Sequence, residues 1–372
     1  MKKPIPYFLL FLLLLLLLFW ISLPFSAQKT YSDDERRILQ AFPQLEAAQL
    51  ANASYPDLLE RALKDHFPLR ELWRNLDTTS SIYLFGHLQH RGYAISRHHI
   101  LKLSYAIDQA SVQHAANHMA AIHQRYLSDT DCSLFLCVIP EKNYYLLDSP
   151  YPSLDPQLFL AQIKATLPGL TVIPLVNQLN LSSYYQTDPH WKQEMLRPVA
   201  NQLLSFLCPE EIVPSVTYTQ KIADSSFHGA YSGGAGWMFL QDSILYLKTP
   251  QLDSVEVVNP VSGQSVPLYD HSALLGRDPY TFFLLGNQPI LTMTNPNSST
   301  NRQLIIFRDS FASPLAPLLL VTYRQITLID TRYLSISSIQ DYVSFQEQDV
   351  LFLYSTLLLN DSATLKNDSL LH

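Results

Sequence analysis

Two short segments of the sequence carry the residue types of an acyl-transfer site. Asp188 and His190 are two residues apart in the segment TDPHW. Ser310 belongs to the segment RDSF, which directly follows the apolar run LIIF. Side chains two apart in an extended segment point the same way, so a carboxylate can fix the tautomer of the neighbouring imidazole. A serine at the end of a strand is a common setting for a nucleophile, and histidine is its usual base. The pattern is typical of a Ser/His/Asp triad.

Both segments also have a purely structural interpretation. Asp188 is a good helix N-cap, Pro189 favours the first helical turn, and Trp191 packs well in a core. Asp309 and Ser310 are common in turns and at N-caps too. Because spacing along the chain does not show contact, the residues alone leave both interpretations open.

The elements around these segments predict an α/β fold. Near-continuous apolar strands that alternate with helices are typical of a parallel sheet with helices on both faces. In such sheets ligands bind outside the carboxyl ends of the strands, where both segments begin. The predicted strands are 134–139, 171–175, 304–307, 325–329 and 350–354, and the predicted helices are 55–76, 104–126, 155–167, 191–207 and 317–322, with a hairpin over 81–95.

The chain divides into three predicted parts. Residues 1–27 form a signal anchor with a transmembrane helix, and residues 28–80 form an N-terminal helical segment. Residues 81–372 form the α/β domain, with a β-rich insertion at about 210–296. The insertion is predicted from glycine and short apolar runs, since glycines 229, 233, 234, 236, 263, 276 and 286 all fall within it.

The N-terminus predicts a membrane location. Residues 7–23 are apolar or aromatic apart from Ser22, carry no charge, and are preceded by Lys2 and Lys3. At about 1.5 Å per residue the run nearly matches a bilayer core of about 30 Å, and the positive flank favours a cytoplasmic N-terminus. We therefore expect a single membrane-anchoring helix with the remaining chain extracytoplasmic, and a cleaved signal peptide is the alternative.

Composition excludes two broad classes of protein. The 25 basic and 32 acidic residues give a net charge of −7, whereas a nucleic-acid binder needs a basic face. A hydrophobic content of 47% is too high for a disordered polar chain. We expect a globular protein with no nucleic-acid partner.

The histidines give no sign of a metal site. His114 and His118 have the spacing of a zinc pair on a helix, but the intervening Ala-Ala-Asn lacks the glutamate of a zincin motif. A Ser/His/Asp triad works with side chains and backbone groups alone. We therefore expect neither a metal nor a cofactor.

Taken together, the motifs resemble the DHHW protein family, which is related to the SGNH-hydrolase-like proteins of alginate O-acetylation. TDPHW, LIIFRDSFASPLAPLL and ITLIDTRYL carry the resemblance, and ERRILQAFP and DHFPLR are similar to blocks that precede the core of such proteins. The resemblance implies an SGNH-hydrolase-like (flavodoxin-like) fold with Ser310 as nucleophile, His190 as base and Asp188 as orienting acid. Two positions depart from the pattern: Pro189 replaces a histidine, and Arg308 replaces the glycine of the SGNH Gly-Asp-Ser block.

The oxyanion hole has no direct match. The glycine and asparagine that help to form it in SGNH proteins have no counterpart after Ser310. We expect backbone N–H groups at the Ser310 turn to take part. Substrate or oxyanion contacts are further expected from residues beside the triad and after neighbouring strands, namely Trp191, Arg332, Tyr333, Ser355 and Thr356.

The resemblance implies an acyltransferase that O-acetylates a cell-envelope or exported polysaccharide through an acyl-serine. It further implies a polytopic membrane acyltransferase as the partner that supplies acetyl groups. Two alternatives stay open. One is a carbohydrate esterase or deacetylase that uses the same triad with water as acceptor. The other is a non-catalytic envelope protein that binds polysaccharide.

Overall fold

The computed structural model describes most of the chain. It describes residues 28–32, 35, 37–44, 54–104, 106–146, 150–210 and 216–366, together with positions 7, 9, 10, 13, 14, 17 and 21. The chain divides into two compact units. The first unit comprises Met1–Tyr93 with Ala230–Leu240, and the second comprises Ala94–Gly229 with Gln241–His372.

The first unit is built from short elements. Its elements are β1 (Tyr31–Ser32), β2 (Arg37–Ile38), α1 (Ser54–Asp65), α2 (Arg70–Thr79), a π-helical turn (Ser80–Leu84), β3 (Gln89–His90) and a short helix (Ala230–Ala235). Strands β1 and β2 pair antiparallel. The hairpin predicted over 81–95 is wrong in its first part, because the chain is still helical at Ser80–Leu84.

The helix predicted over 55–76 is interrupted near Pro68. Helix α1 ends at Asp65, α2 begins at Arg70, and Leu69 between them is left-handed with φ of 54°. Proline has no N–H for the helical hydrogen bond and disfavours helical backbone in the residue before it. Two helices therefore replace the single predicted one.

A carboxylate at the end of α1 ties that helix to the N-terminal strands. Arg37 Nη1 donates to Asp65 Oδ2 over 2.8 Å, and the backbone N–H of Gln40 donates to the same oxygen over 2.8 Å. The hydrogen bond from Arg37 is the main reason that the pKa of Asp65 falls to about 2. The ionised carboxylate thus stabilises the first unit.

The second unit is centred on an eight-stranded sheet. Strands β4 (Tyr93–Ser96) and β5 (His99–Lys102) follow β3 along the chain. The other elements are α3 (Gln109–Ile122), β6 (Ser133–Ile139), α4 (Pro156–Thr166), β7 (Thr171–Val172), α5 (Arg197–Leu207), β8 (Thr219–Phe227), β9 (Asp242–Lys248), β10 (Glu256–Asn259), β11 (Gln264–Ser265), β12 (Ile290–Thr294), β13 (Gln303–Arg308), α6 (Ala312–Leu319), β14 (Gln325–Ile329), β15 (Asp349–Ser355) and α7 (Thr356–Leu359).

The sheet is mixed, so the prediction of a parallel sheet is wrong. Its strand order is β11-β10-β12-β14-β13-β15-β6-β7. Strands β7, β6, β15, β13 and β14 are parallel, whereas β12 pairs antiparallel with β14 and β10, and β10 with β11. The antiparallel strands come from the predicted insertion. Parallel neighbours in a sheet need a long crossover connection, whereas antiparallel neighbours can be joined by a short one. The insertion strands can therefore extend the sheet by antiparallel pairing.

Helices cover both faces of this sheet. Helices α5 and α6 pack on one face, where Leu203 and Leu351 lie in the same buried cluster. Helices α3 and α4 pack on the other face, where Ile163 and Phe352 are buried together. The neighbours Leu351 and Phe352 point to opposite faces, as successive residues of a strand must. The apolar strands are continuous in sequence because both faces are buried.

The predicted transmembrane helix is wrong. In the part of the chain that the structure describes, no helix is both long and apolar enough to cross a membrane. The predicted membrane-anchored, extracytoplasmic location depended on this helix and is therefore wrong as well. Most of residues 1–27 lie outside the described part of the chain.

We predict that Asp65→Asn lowers the melting temperature at neutral pH, and that the deficit shrinks as the pH falls toward about 2. The folded carboxyl has a pKa of about 2, below the value of about 3.9 for an unfolded aspartate. Its stabilising effect is therefore complete above the unfolded value and is lost as the pH falls through the folded one. Thermal unfolding followed by circular dichroism at several pH values measures this. Asp57→Asn on the exposed side of α1 is the control, and a deficit for Asp65→Asn that does not change with pH contradicts the prediction.

Candidate active site

Polar residues gather at the carboxyl ends of four neighbouring parallel strands. Strands β6, β15, β13 and β14 lie side by side, and ligands bind at this edge of open sheets. Asp309 and Ser310 directly follow β13, and Lys142 follows β6 after two residues. Ser355 ends β15, and Arg332 follows β14. Extending the strand register by two residues places Ser310 level with Ser355.

Asp309 fixes the turn that presents Ser310. Asp309 Oδ1 accepts the backbone N–H of Phe311 over 3.0 Å, which closes the turn into α6. Its Oδ2 accepts the backbone N–H of Ser355 over 2.8 Å. One buried carboxylate therefore ties the serine turn to the end of the neighbouring strand β15.

Arg308, which stands at the glycine position of the SGNH block, supports the same turn from inside. Its side chain is fully buried. Nη1 donates to Ser313 Oγ and Nη2 to the carbonyl of Gly286, each over 3.0 Å. Burial lowers the pKa of Arg308. The arginine thus links β13, α6 and the loop before β12.

His190 joins Ser310 to Asp188. Its Nε2 lies 2.7 Å from Ser310 Oγ, and its Nδ1 lies 2.6 Å from Asp188 Oδ1. The carboxylate has no hydrogen to donate, so Nδ1 carries the proton and Nε2 accepts the serine hydroxyl. Asp188 also accepts the backbone N–H of His190 over 3.1 Å. The three side chains form the hydrogen-bond chain that a Ser/His/Asp triad requires.

Two aromatic rings confine the imidazole of His190. The Tyr280 ring stacks on it at a centroid distance of 3.9 Å and an interplanar angle of 12°. The Phe311 ring lies 4.7 Å away on a tilted plane. Only 14% of the His190 side chain is exposed, and Asp188 is fully buried. The imidazole therefore has little freedom to rotate away from the serine.

Trp191 and Gln193 dock the histidine segment onto the serine segment. Trp191 Nε1 donates to the carbonyl of Phe311 over 2.8 Å, and Gln193 Nε2 donates to that of Pro314 over 2.7 Å. Trp191 is fully buried. The structure therefore places it in the core and not at the surface where its predicted contact with substrate would require it. The helix predicted from Trp191 begins only at Arg197, and Asp188 therefore does not act as its N-cap.

A buried lysine holds the carbonyl groups of the loop that carries Asp188. Lys142 Nζ donates to the carbonyls of Tyr185, Gln186 and Asp188 over 3.1, 3.0 and 3.1 Å. Burial lowers the pKa of Lys142 to about 7, and the negative charges of Asp188 and Asp242 oppose that shift. The three ammonium hydrogens thus satisfy three loop carbonyls.

An aspartate holds the N–H groups of the same loop. Asp242 accepts the backbone N–H groups of Gln186 and Thr187 over 2.9 and 2.8 Å, and the Thr187 hydroxyl over 2.6 Å. At Gly229 a Cβ would lie 2.3 Å from the Cβ of Asp188, so only glycine fits there. The loop is thereby bound by opposite charges and closely packed.

The remaining predicted contacts are mostly engaged inside the protein. Arg332 makes a paired contact with Asp330, Nε to Oδ1 over 2.9 Å and Nη2 to Oδ2 over 2.6 Å. The Ser355 hydroxyl accepts the N–H of Leu358 over 3.2 Å, and Thr356 is fully buried. Tyr333 is 43% exposed and lies beneath the Arg332 guanidinium.

The backbone groups expected at the oxyanion position are partly occupied. The N–H of Phe311 is bound to the Asp309 carboxylate, and the N–H groups of Ala312 and Ser313 donate to the carbonyls of Asp309 and Ser310, each over 3.3 Å. These three N–H groups are therefore bonded within the turn that starts helix α6, and they do not point freely at a substrate.

Sequence reasoning missed three residues that shape the site, namely Lys142, Asp242 and Tyr280. Lys142 had a usable signal, because PEKNYY directly follows the apolar strand at 134–139 and so lies at the binding edge of the sheet. Asp242 and Tyr280 lie in the predicted insertion, and no spacing relates them to the motifs. Their roles come only from the tertiary structure.

Comparison with solved structures identifies the fold. The chain is similar to a DHHW family protein from Eubacterium siraeum, with a TM-score of 0.61 and 17% identity, covering 74% of this chain and 95% of the other. It is similar to PatB1 of Bacillus cereus, with a TM-score of 0.56 and 15% identity, covering 72% and 96%; PatB1 is also known with a sulfonyl adduct. The O-acetyltransferase domain of Pseudomonas putida AlgJ matches with a TM-score of 0.45 and 11% identity, covering 74% and 94%.

No protein-family model matches the sequence, and no curated protein shows significant sequence similarity to it. At the identities found, the likeness to solved structures is a likeness of fold. The DHHW and SGNH-like relationship suggested by TDPHW and RDSF is confirmed at that level: this chain has the fold of the DHHW family protein and of PatB1.

Proposed function

We propose that this chain is an SGNH-like acyltransferase that O-acetylates a cell-envelope or exported polysaccharide. The observation that carries the proposal is the hydrogen-bond chain from Asp188 through His190 to Ser310, across two segments 120 residues apart in sequence. A chain of this kind makes a hydroxyl nucleophilic at neutral pH. The motif resemblance and the fold of the similar structures support the choice of reaction class.

The first step forms an acyl-serine. Ser310 Oγ attacks the carbonyl carbon of the acetyl donor while His190 Nε2 takes the hydroxyl proton. The carboxylate of Asp188 stabilises the imidazolium that results and keeps Nδ1 protonated. The leaving group departs with the proton from Nε2, and the acetyl group remains on Ser310.

The second step passes the acetyl group on. A sugar hydroxyl loses its proton to His190 Nε2 and attacks the acyl-serine, and the proton then returns to Ser310 Oγ. The acceptor decides the net reaction, since water in place of the sugar makes the same site an esterase. The resemblance to proteins of alginate O-acetylation favours the sugar acceptor and a polytopic membrane acyltransferase as the source of acetyl groups.

We assign the rim of the substrate site to Arg332 and Tyr333. They follow β14, the strand beside the one that carries Ser310. Tyr333 is exposed, and the carbon of the Arg332 guanidinium lies 5.4 Å from its ring centroid. An exposed aromatic ring beside a cation offers both a stacking face and hydrogen-bond donors to a sugar.

We predict that Ser310→Ala lowers acetyl transfer at least about 10³-fold, because the covalent intermediate cannot form. Transfer of acetyl from p-nitrophenyl acetate to a soluble oligosaccharide, measured beside release of free acetate, tests the site and its acceptor together. Ser128→Ala, on the exposed surface, is the control. Full transfer by the Ser310→Ala protein contradicts the triad. Acetate release without any transfer, over a panel of acceptors, favours the esterase instead.

We predict that Tyr280→Leu lowers kcat/KM about tenfold. The Tyr280 ring stacks on His190 and stabilises the imidazolium that forms as His190 takes the serine proton, so its removal raises the barrier to acylation. Tyr280→Phe is the matched control, since it keeps the ring and removes a buried hydroxyl that has no hydrogen-bond partner in the described part of the chain. Equal kcat/KM values for the Leu and Phe variants contradict the prediction.

A further inference from the structure

We propose that Lys142 is a positioning residue for the triad, an internal cation that holds the Asp188 loop in register with Ser310, with Asp242 as its partner on the other side of the loop. This role rests on the proposed function of Asp188, His190 and Ser310. Lys142 does not touch the reacting atoms. It acts through the backbone of the residues that carry the acid and the base.

The loop needs an external partner for its carbonyl groups. Residues 185–188 lie between two short 3₁₀ turns, Leu181–Ser183 and Gln193–Met195, and lie outside regular helix or strand. Tyr185 and Asp188 are fully buried, so a carbonyl left without a donor there costs stability. In enzymes with a bound cation, a metal ion would collect such carbonyls. Here the ammonium of Lys142, in the 3₁₀ turn that follows β6, does so, and the N–H of Ile100 also donates to the Gln186 carbonyl over 2.9 Å.

The ammonium fits this task closely. It has three hydrogens, and three loop carbonyls lie 3.0–3.1 Å from it. One of them is the carbonyl of Asp188 itself, so the contact fixes the peptide next to the triad carboxylate. Methionine has nearly the same length and no donor. Substitution by methionine therefore removes the contacts without removing the bulk.

Asp242 completes the restraint from the opposite side. It accepts two loop N–H groups and the Thr187 hydroxyl, as described above. With carbonyls bound to a cation and N–H groups bound to an anion, the loop cannot rotate its peptides without breaking charged hydrogen bonds. These are stronger than neutral ones. The two side chains act on one structural element, so their effects should not add.

The test is the rate of Ser310 acylation in the full chain, with a structural readout at His190. The burst of p-nitrophenol from p-nitrophenyl acetate measures acylation. The low-field proton resonance of the His190 Nδ1–H measures its hydrogen bond to Asp188. Lys142→Met is compared with wild type and with Lys192→Met, whose ammonium lies 5.9 Å from the Tyr185 ring centroid and serves as a matched control for loss of charge beside this loop.

We expect Lys142→Met to remain folded by circular dichroism, to acylate about 10²-fold more slowly and to lose the low-field resonance, since a displacement of about 1 Å costs about that factor. Lys192→Met should match wild type in both measurements. A Lys142→Met protein with normal burst rate and normal resonance overturns the role of Lys142. A wild-type protein that releases p-nitrophenol no faster than Ser310→Ala overturns the proposed function instead, so the two failures are distinguishable.

Asp242→Asn keeps the proposal testable if Lys142→Met does not fold. Asparagine retains the size of the side chain and one acceptor oxygen, but loses the charge and the second acceptor. We expect slower acylation and a weakened resonance in this variant too, with the double variant no slower than about the slower single one. A normal burst in Asp242→Asn, or fully additive losses in the double variant, contradicts a shared action on the loop.

Discussion

The site depends on docking one irregular loop against the end of one strand. Ser310 is fixed by the sheet, because Asp309 bonds across to β15 and Arg308 reaches into the core. The loop of His190 has less support from backbone bonding, chiefly the N–H of Ile100 in β5 to the carbonyl of Gln186 over 2.9 Å and the N–H of Tyr185 to the carbonyl of His190 over 3.1 Å. Its position follows from side chains that bind the loop backbone, chiefly Lys142 and Asp242, and from Trp191, which bonds to the serine segment. Lys142 and Asp242 together bind five backbone groups of this loop through charged hydrogen bonds.

The sequence located Ser310 through regular structure, and Asp188 with His190 through their local spacing. Ser310 follows a buried strand, and parallel strands bring their carboxyl ends to one edge, so both motifs could be placed at that edge. The Asp-x-His spacing predicts a carboxylate beside the imidazole, and Asp188 accepts hydrogen bonds from both the ring and the backbone N–H of His190. Apolar runs located β6, β13, β14 and β15 to within about two residues, since strands buried on both faces leave a continuous apolar signal.

The rest could not be predicted, for physical reasons that differ from case to case. Tyr280 and Asp242 come from the insertion, and only tertiary packing brings them to the loop. The sequence predicts the insertion strands as a separate β region. The sequence of a four-residue strand such as β10 does not show whether the strand joins a neighbouring sheet. The apolar N-terminal run predicts a membrane span from its hydropathy and its lysine flank, whereas the described part of the chain contains no helix long and apolar enough to cross a membrane. The sequence allows Trp191 both as a substrate contact and as a core residue, and the structure buries it.

The central claim is that Ser310 is a nucleophile activated by His190. Treatment of the folded chain with phenylmethylsulfonyl fluoride, followed by intact-mass measurement and peptide mapping, tests it most directly. We expect a single sulfonyl adduct on Ser310, absent in Ser310→Ala and formed much more slowly in His190→Ala. A folded wild-type protein that gains no adduct, or one that is labelled equally fast without the imidazole, would contradict it.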